Sequence, residues 1–239
     1  MNLLVFRPGQ RQGETLTATV YQSQHIREIL KAQPGEALRV GELGGLMGRA
    51  TLVSLGPHCQ LKIDTLDTPP PSKLPLTLIL AMPRPKVFRR MLQAVSSLGV
   101  ERLILLNSWR VEKSYWQTPW LQPTTLEDNL ILGLEQACDT LLPEVWIRKR
   151  FKPFVEDELP SLLETAHGWV AHPYIGNSPV ASETQNTPRR TVLAIGPEGG
   201  FIPYEVDKLQ AAGMQGLSLG PRILKVDTAI SALIGKLFL

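Results

Sequence analysis

Downstream of Leu74 the apolar residues switch repeatedly between short buried runs and a helical spacing of three or four. This alternation restricts the chain to an α/β architecture, a mostly parallel sheet covered by helices on both faces. The first unit of the pattern is Leu76-Thr-Leu-Ile-Leu-Ala81, followed by Val87, Phe88, Met91, Leu92, Val95 and Leu98 on one helix face, with Gly99 closing the helix. A strand over 102–106 precedes a polar loop. Thr124-Thr-Leu-Glu127 has the spacing of a capping box and predicts a helix through Leu130, Leu134 and Ala137. Strands over 145–150, 169–172, 192–195 and 217–219 and helices over 155–164, 204–212 and 227–237 continue the pattern, the last helix with Asp227 as its N-cap. Residues 174–190 read as a long polar loop, a length that is uncommon unless functional or disordered.

The alternation does not reach back past residue 70. Asp67-Thr-Pro-Pro-Pro-Ser-Lys-Leu-Pro75 is a stiff, extended run that neither a helix nor a central strand accommodates, and it predicts a linker. Upstream, short alternating segments over 15–20, 37–40, 49–54 and 60–63 are separated by Gly35, Gly41, Gly44, Gly45 and Gly48, the pattern of a small β-barrel. One helix interrupts it, from Ser23 as the expected N-cap through His25, Ile26, Ile29 and Leu30. The expected domains are therefore 1–70 and 71–239. With 43% apolar residues the chain can bury a core, and its longest apolar stretch, 74–82, is far shorter than the roughly 20 residues of a membrane helix. Met1-Asn-Leu-Leu-Val-Phe-Arg-Pro8 lacks the basic start and long apolar segment of a secretory leader, which predicts a cytoplasmic protein. Cys59 and Cys138 stand far apart without metal-ligand spacing, so both are expected as buried thiols and no metal is expected. A net charge of +3 suits nucleic acid without requiring it.

In open parallel sheets, ligands bind beyond the carboxyl ends of the strands. Gly196-Pro-Glu-Gly-Gly200 follows one expected strand and Leu219-Gly-Pro-Arg222 ends another, so the two loops are expected to form one crevice whose glycines let backbone approach a ligand closely. Neither carries the glycine pattern of dinucleotide binders or the Gly-Lys-Ser/Thr of phosphate loops. Glu198 instead sits at the centre of the first loop. A carboxylate there repels a diphosphate and favours an ammonium or sulfonium group, which points to a cationic nucleoside. A plain strand-to-helix turn is the other reading of either loop taken alone. Arg222 could hold an RNA phosphate or stabilise negative charge developing on a base; a solvated surface arginine is the alternative. Arg84, Lys86, Arg89 and Arg90 cluster at the start of one helix, and Arg110 and Lys113 lie near Tyr115, Trp116 and Trp120. Cations among aromatics suit RNA, although a solvated face over an aromatic cluster would read the same way. His172-Pro173 closes a strand at the same sheet edge, which puts His172 either beside a cofactor or in a structural role. No Gly-x-Ser-x-Gly elbow is present and the four histidines are scattered, which disfavours hydrolase and zinc chemistry.

Taken together, Ile195-Gly-Pro-Glu-Gly-Gly-Phe201, Leu219-Gly-Pro-Arg-Ile-Leu-Lys-Val-Asp-Thr-Ala229, Glu135-Gln136 and His172-Pro173 resemble the bacterial 16S ribosomal RNA uridine-N3 methyltransferases of the SPOUT superfamily. His25-Ile-Arg-Glu-Ile-Leu30 with Gly35 is similar to that family's small PUA-like RNA-binding domain. The resemblance implies a PUA-like barrel over 1–70 and a methyltransferase domain over 71–239 with a deep trefoil knot within about 150–239, where general topology rules would argue against one. It implies a homodimer, and S-adenosylmethionine held by Gly196, Gly199, Gly200, Leu219, Gly220 and Leu224 with His172 and Pro173 beside it. Arg222 and Glu198 become the expected catalytic residues. The small ribosomal subunit or its 16S RNA becomes the expected partner, contacted by Arg7, Arg27, Lys86, Arg89, Arg90, Arg110 and Lys113.

Some positions depart from the family pattern. Ser97 stands where an acidic residue is usual, Lys225 and Asp227 where arginine and glutamate are usual, Ala137-Cys-Asp-Thr140 where an arginine usually follows Glu-Gln, and Arg7 alone where a pair of arginines is usual. Because lysine and arginine hold phosphate differently, these changes bear on the RNA target more than on the cofactor. Two further readings stay open at this level: an RNA-binding or ribosome-assembly protein that keeps the fold without catalysis, and a paralogue methylating a different uridine. A nucleotide-dependent ligase or kinase is disfavoured by Glu198 and by the missing phosphate-loop lysine.

Overall fold

A computed structural model describes residues 1–174 and 190–238, so most of the polar loop expected over 174–190 lies outside the described residues. The chain divides into two units, one made of 1–72 with 128–142 and the other of 73–127 with 143 onward.

In the first unit, strands β1 (Leu4–Phe6), β2 (Arg11–Gln12), β3 (Thr15–Thr17), β4 (Ala37–Glu42), β5 (Met47–Ser54) and β6 (Gln60–Thr68) form one sheet in the order β1-β4-β5-β6-β3-β2. All pairs are antiparallel except β1 with β4. Alternate strand residues, among them Leu16, Val40, Leu52 and Leu61, point into a core shared with Phe6 and Ile26. Helix α1 (Val20–His25) begins earlier than Ser23 predicts. Its N-cap is Thr19, whose Oγ1 accepts the Gln22 N–H at 3.2 Å while Gln22 Oε1 accepts the Thr19 N–H at 3.0 Å. A glutamine three residues after the hydroxyl is what selects Thr19, because Ser23 lacks that reciprocal partner. Ser23 is buried instead, its Oγ accepting the Cys59 N–H at 2.8 Å, and a π-helical turn over Ile26–Leu30 prolongs the helix.

The second unit holds β7 (Leu74–Ala81), β8 (Val100–Leu106), β9 (Glu144–Arg148), β10 (His167–Ala171), β11 (Thr191–Ile195) and β12 (Gln215–Leu217), in the order β12-β10-β11-β7-β8-β9. Every pair is parallel. The connections carry α2 (Pro85–Ser97), α3 (Pro123–Ala137), α4 (Phe151–Pro153), α5 (Leu159–Leu163) and α6 (Pro203–Ala211), a π-helical turn over Phe154–Glu158 joins α4 to α5, and α7 (Val226–Phe238) follows β12. Strand β11 is buried along its whole length, as are residues 103–106 of β8, which is why these strands read as unbroken apolar runs. Edge strand β9 carries Trp146 with the guanidinium groups of Arg102 and Arg148 4.4 and 5.0 Å from its ring. Two expected caps are displaced. Helix α3 starts at Pro123, whose fixed φ and missing N–H suit a first turn, so Thr124 lies inside the helix. Helix α7 starts at Val226 and the Lys225 carbonyl accepts the Ala229 N–H at 2.8 Å, so Asp227 is a first-turn residue that pairs with Arg90 at 3.6 Å.

Helix α3 serves both units, residues 123–127 belonging to the second and 128–137 to the first. In the first unit Ile131 and Leu134 pack with Leu3, Val5 and Met47, and the Glu135 carbonyl accepts the N–H groups of Asn2 and Leu3, both at 3.0 Å. Cys138, expected to be buried, is only partly so. It ends α3 with a left-handed φ of 57°, at the margin of this cluster, whereas Cys59 is fully buried, and both are free thiols. The Glu135 carboxyl is 3% exposed. Burial pushes its pKa from 4.5 up to about 7, only partly offset by hydrogen bonds from the Val5 N–H and Gln22. The folded state therefore keeps a proton that the unfolded chain releases. Stability from this group is complete below pH 4.5 and is lost as pH rises through about 7, a difference on the order of 3 kcal/mol. Glu135→Gln keeps the acceptor for Val5 and removes the charge. The variant is expected to melt higher than the parent at pH 8 and equally at pH 4.5, as scanning calorimetry across that range would reveal; parallel curves for the two proteins would refute the assignment.

Among the described residues no helix is long and apolar enough to cross a membrane, and no three His, Cys, Asp or Glu groups are placed to hold a metal ion.

Candidate active site

Strands β12, β10 and β11 are parallel neighbours, so their carboxyl ends open on one edge of the sheet. His172-Pro173 leaves β10, the Gly196 loop leaves β11 and the Leu219–Arg222 turn follows β12. All three segments line a single cavity of about 710 Å³, a size usual for small-molecule ligands. Strand β12 ends at Leu217 rather than 219, which frees Leu219 and Gly220 to face this space.

The first loop is closed by contacts that only glycine permits. A β-carbon on Gly196 would fall 2.7 Å from the Phe201 nitrogen and 3.1 Å from the Gly200 carbonyl carbon, backbone against backbone. Gly200 adopts φ 73° and donates its N–H to the Pro197 carbonyl at 2.7 Å. Two charged side chains, one from outside the loop and one within it, fix its position. The Arg110 guanidinium donates to the Gly199 carbonyl, and Glu198 Oε1 accepts the Arg84 N–H at 3.0 Å just before α2. The second loop is shaped by Ser218, 7% exposed, whose Oγ accepts the Gly220 N–H at 3.1 Å, and Lys236 donates to the Ser218 carbonyl at 3.3 Å. Gly220, which lines the cavity, has φ 99°, and among the described residues a β-carbon there meets no atom within 4 Å. His172 ties the strand ends together by donating its N–H to the Leu217 carbonyl at 3.1 Å. Its Nδ1 accepts the Tyr174 N–H at 3.3 Å, so in the neutral ring the proton sits on Nε2, 4.0 Å from where a Gly200 β-carbon would stand.

Every residue predicted for the cofactor, and both predicted catalytic residues, line this cavity. The residues predicted for RNA do not gather in the same way. Arg110 lines the cavity while bracing Gly199. Arg89 and Arg90 stand on α2, the former 5.8 Å from the Trp120 ring and the latter paired with Asp227, with Lys86 exposed on the same helix. Lys113 lines a separate cavity. Arg7 and Arg27 belong to the first unit, where Arg7 pairs with Asp128 at 2.8 Å and Arg27 donates to the Gly56 carbonyl at 2.6 Å. Sequence reasoning missed Ser218, Asp207 and Gln210, which line the cavity, and Lys236, which braces Ser218. A serine two residues before a glycine is a turn signal that could have found the first; Lys236 has no such signal, because its role depends on α7 returning beside β12.

The family model for the RNA methyltransferase domain matches residues 70–237. The ribosomal RNA small subunit methyltransferase E of Treponema pallidum is 28% identical over 219 residues, 87% of this chain and 79% of that protein. The ribosomal RNA small subunit methyltransferase E of Neisseria gonorrhoeae, solved bound to S-adenosylmethionine, superimposes with a TM-score of 0.75 at 21% identity, covering 99% of this chain and 96% of the other. A Legionella pneumophila protein solved in complex with the same cofactor gives 0.77 at 23% identity and the same coverage. These structures share the fold with its all-parallel six-stranded sheet.

Proposed function

Because this chain belongs to the RNA methyltransferase domain family, we propose that it transfers the methyl group of S-adenosylmethionine to N3 of a uracil in the 16S RNA of the small ribosomal subunit. The observation that carries the proposal is the convergence of three strand ends on one glycine-walled cavity. The cavity suits the cofactor: Gly196 and Gly200 bring bare backbone to its wall, Gly220 leaves room where a side chain would intrude, and Glu198 adds negative charge suited to a sulfonium. The related proteins named for small-subunit RNA methylation, and the two solved with this cofactor, support the same assignment.

When bound, S-adenosylmethionine supplies an electrophilic methyl group on positively charged sulfur. The chain's own residues must then orient the uracil and manage its N3 proton, which has to leave so that the nitrogen can present a lone pair in line with the methyl group. Arg222, exposed at the cavity, offers a permanent cation to the negative charge that develops on the base. The products are N3-methyluracil, S-adenosylhomocysteine and a proton. His172, Leu219 and Leu224 bound the space, while Arg110 and Glu198 keep the first loop in place.

The finer parts of the reading are a PUA-like barrel in the first unit, a trefoil knot within about 150–239, a homodimer and a cytoplasmic location beside the ribosome. The order β12-β10-β11, in which the last strand passes back beyond its two predecessors, supports a threaded carboxyl-terminal segment. Exposed Ile223 and Leu224 at the cavity would be covered by a second copy. The departures at Ser97, Asp139, Lys225 and Asp227 all lie outside the cavity lining, which favours catalysis over a fold retained only for RNA binding or ribosome assembly. Two measurements test the function: titration calorimetry with S-adenosylmethionine, expected to show binding heat, and mass mapping of 16S RNA from a deletion strain, expected to lack one N3-methyluridine. Absence of any heat would end the cofactor reading, and a full complement of methylated uridines would end the target.

A further inference from the structure

A second cavity, of about 630 Å³, opens beyond the carboxyl ends of β8 and β9. Lys113 reaches it from the segment after β8, and Lys149 and Lys152 from the segment after β9, all three exposed. Aromatic rings stand among them. Trp109 is 79% exposed and Tyr204 50%, and Trp116 is fixed by its indole N–H donating to Asn107 Oδ1 at 2.8 Å, with the Lys149 ammonium 5.8 Å from its ring. Among the described residues one carboxylate lines the space, that of Glu205, and its two oxygens accept the N–H groups of Trp109 at 2.8 Å and Ile202 at 3.0 Å. Ser108 also lines it, 3% exposed, and among the described residues its hydroxyl has no hydrogen-bond partner. A buried hydroxyl in that state is unusual, and a polar ligand edge would satisfy it.

The two cavities share a thin wall. Arg110 lines the first and its neighbour Trp109 the second; Phe201 lines the first and its neighbour Ile202 the second. A ligand in the second cavity is thus a near neighbour of the first. Lys152 lies 3.9 Å from Glu156, whose other oxygen Lys208 holds at 2.8 Å, so positive charge remains in excess here. That excess calls for phosphate, and the flat rings beside it call for a base, whose face is accessible only when it is unpaired.

We propose that the second cavity holds an unpaired nucleotide of the RNA substrate close to the target uridine, its base against Trp109 and its backbone on Lys113, Lys149 and Lys152. This rests on the RNA methyltransferase reading of the first cavity. The test compares the full-length protein, Trp109→Ala and the triple variant Lys113→Gln, Lys149→Gln, Lys152→Gln. Each is titrated with fluorescein-labelled single-stranded oligouridylate over a series of salt concentrations, and each is assayed for cofactor binding and for methyl transfer to small subunits. Trp109→Ala is expected to weaken RNA binding about 5- to 150-fold, the span of stacking on one aromatic ring. The triple variant is expected to lower the salt slope by about 0.7 for each phosphate no longer neutralised by a lysine. Both should keep the parental heat with S-adenosylmethionine. Parental RNA affinity and slope in both variants would overturn the subsite while methyl transfer by the parent upheld the enzyme. An RNA defect dependent on Trp109 in a protein that transfers no methyl group would do the reverse. A changed sedimentation coefficient with unchanged RNA affinity would make the surface an interface between copies and overturn the proposal.

Discussion

Arg222→Ala is expected to lower methyl transfer to small subunits by about 10²-fold or more while leaving the affinity for S-adenosylmethionine within about a factor of two. The side chain is exposed, lines the cavity, and among the described residues makes no hydrogen bond or ion pair. Its removal therefore leaves packing intact and deletes a positive charge where the uracil develops a negative one. Arg222→Lys sharpens the result. Lysine restores the charge but not the planar fork of donors, so partial recovery would separate a charge requirement from an orienting one. Single-turnover rates beside calorimetric affinities make the measurement. Equal loss of both quantities would show that Arg222 shapes the cavity rather than the reaction.

Gly220→Val acts on the opposite quantity. The residue has φ 99°, where a β-branched side chain is strained by ~1–3 kcal/mol, yet a β-carbon there meets no protein atom within 4 Å. Gly220 lines the cavity, so on the proposed reading valine's methyl groups compete with the cofactor for room there. Cofactor affinity is expected to fall more than 100-fold, below calorimetric detection, with a melting temperature lowered by only a few degrees. Gly220→Ala carries the backbone strain with less bulk, and it should bind more tightly than the valine variant. Parental affinity in Gly220→Val would place the cofactor elsewhere.

The parts of this site that were legible in the sequence are those governed by local rules. Glycines at the ends of strand-like runs marked both loops, because backbone that turns sharply beside a parallel sheet leaves few other choices. The caps show where local rules compete. Thr19 and Ser23 are equally good hydroxyls, and only Gln22, three residues after the first, decides between them. Asp227 and Thr124 looked like caps by type, but the helices had already begun at Val226 and Pro123. What depended on distant packing was not legible. Arg110, read as an RNA contact, donates to the Gly199 carbonyl. Lys149 and Lys152 carried no signal at all until β9 was set beside β8. The proline run at residue 70 announced a boundary, but nothing in the spacing of α3 reveals that residues 128–142 return to the first unit.

That return has a consequence for synthesis on the ribosome. Leu3 and Val5 obtain their apolar cover from Ile131 and Leu134, and the N–H groups of Asn2 and Leu3 find their acceptor at Glu135. Between the emergence of residue 72 and that of residue 142 the nascent amino-terminal unit must wait with one face uncovered, for roughly 4 to 14 s at about 5–20 residues per second. Throughout that interval the elongating polypeptide exposes an apolar surface, which makes it a substrate for chaperones that bind such surfaces.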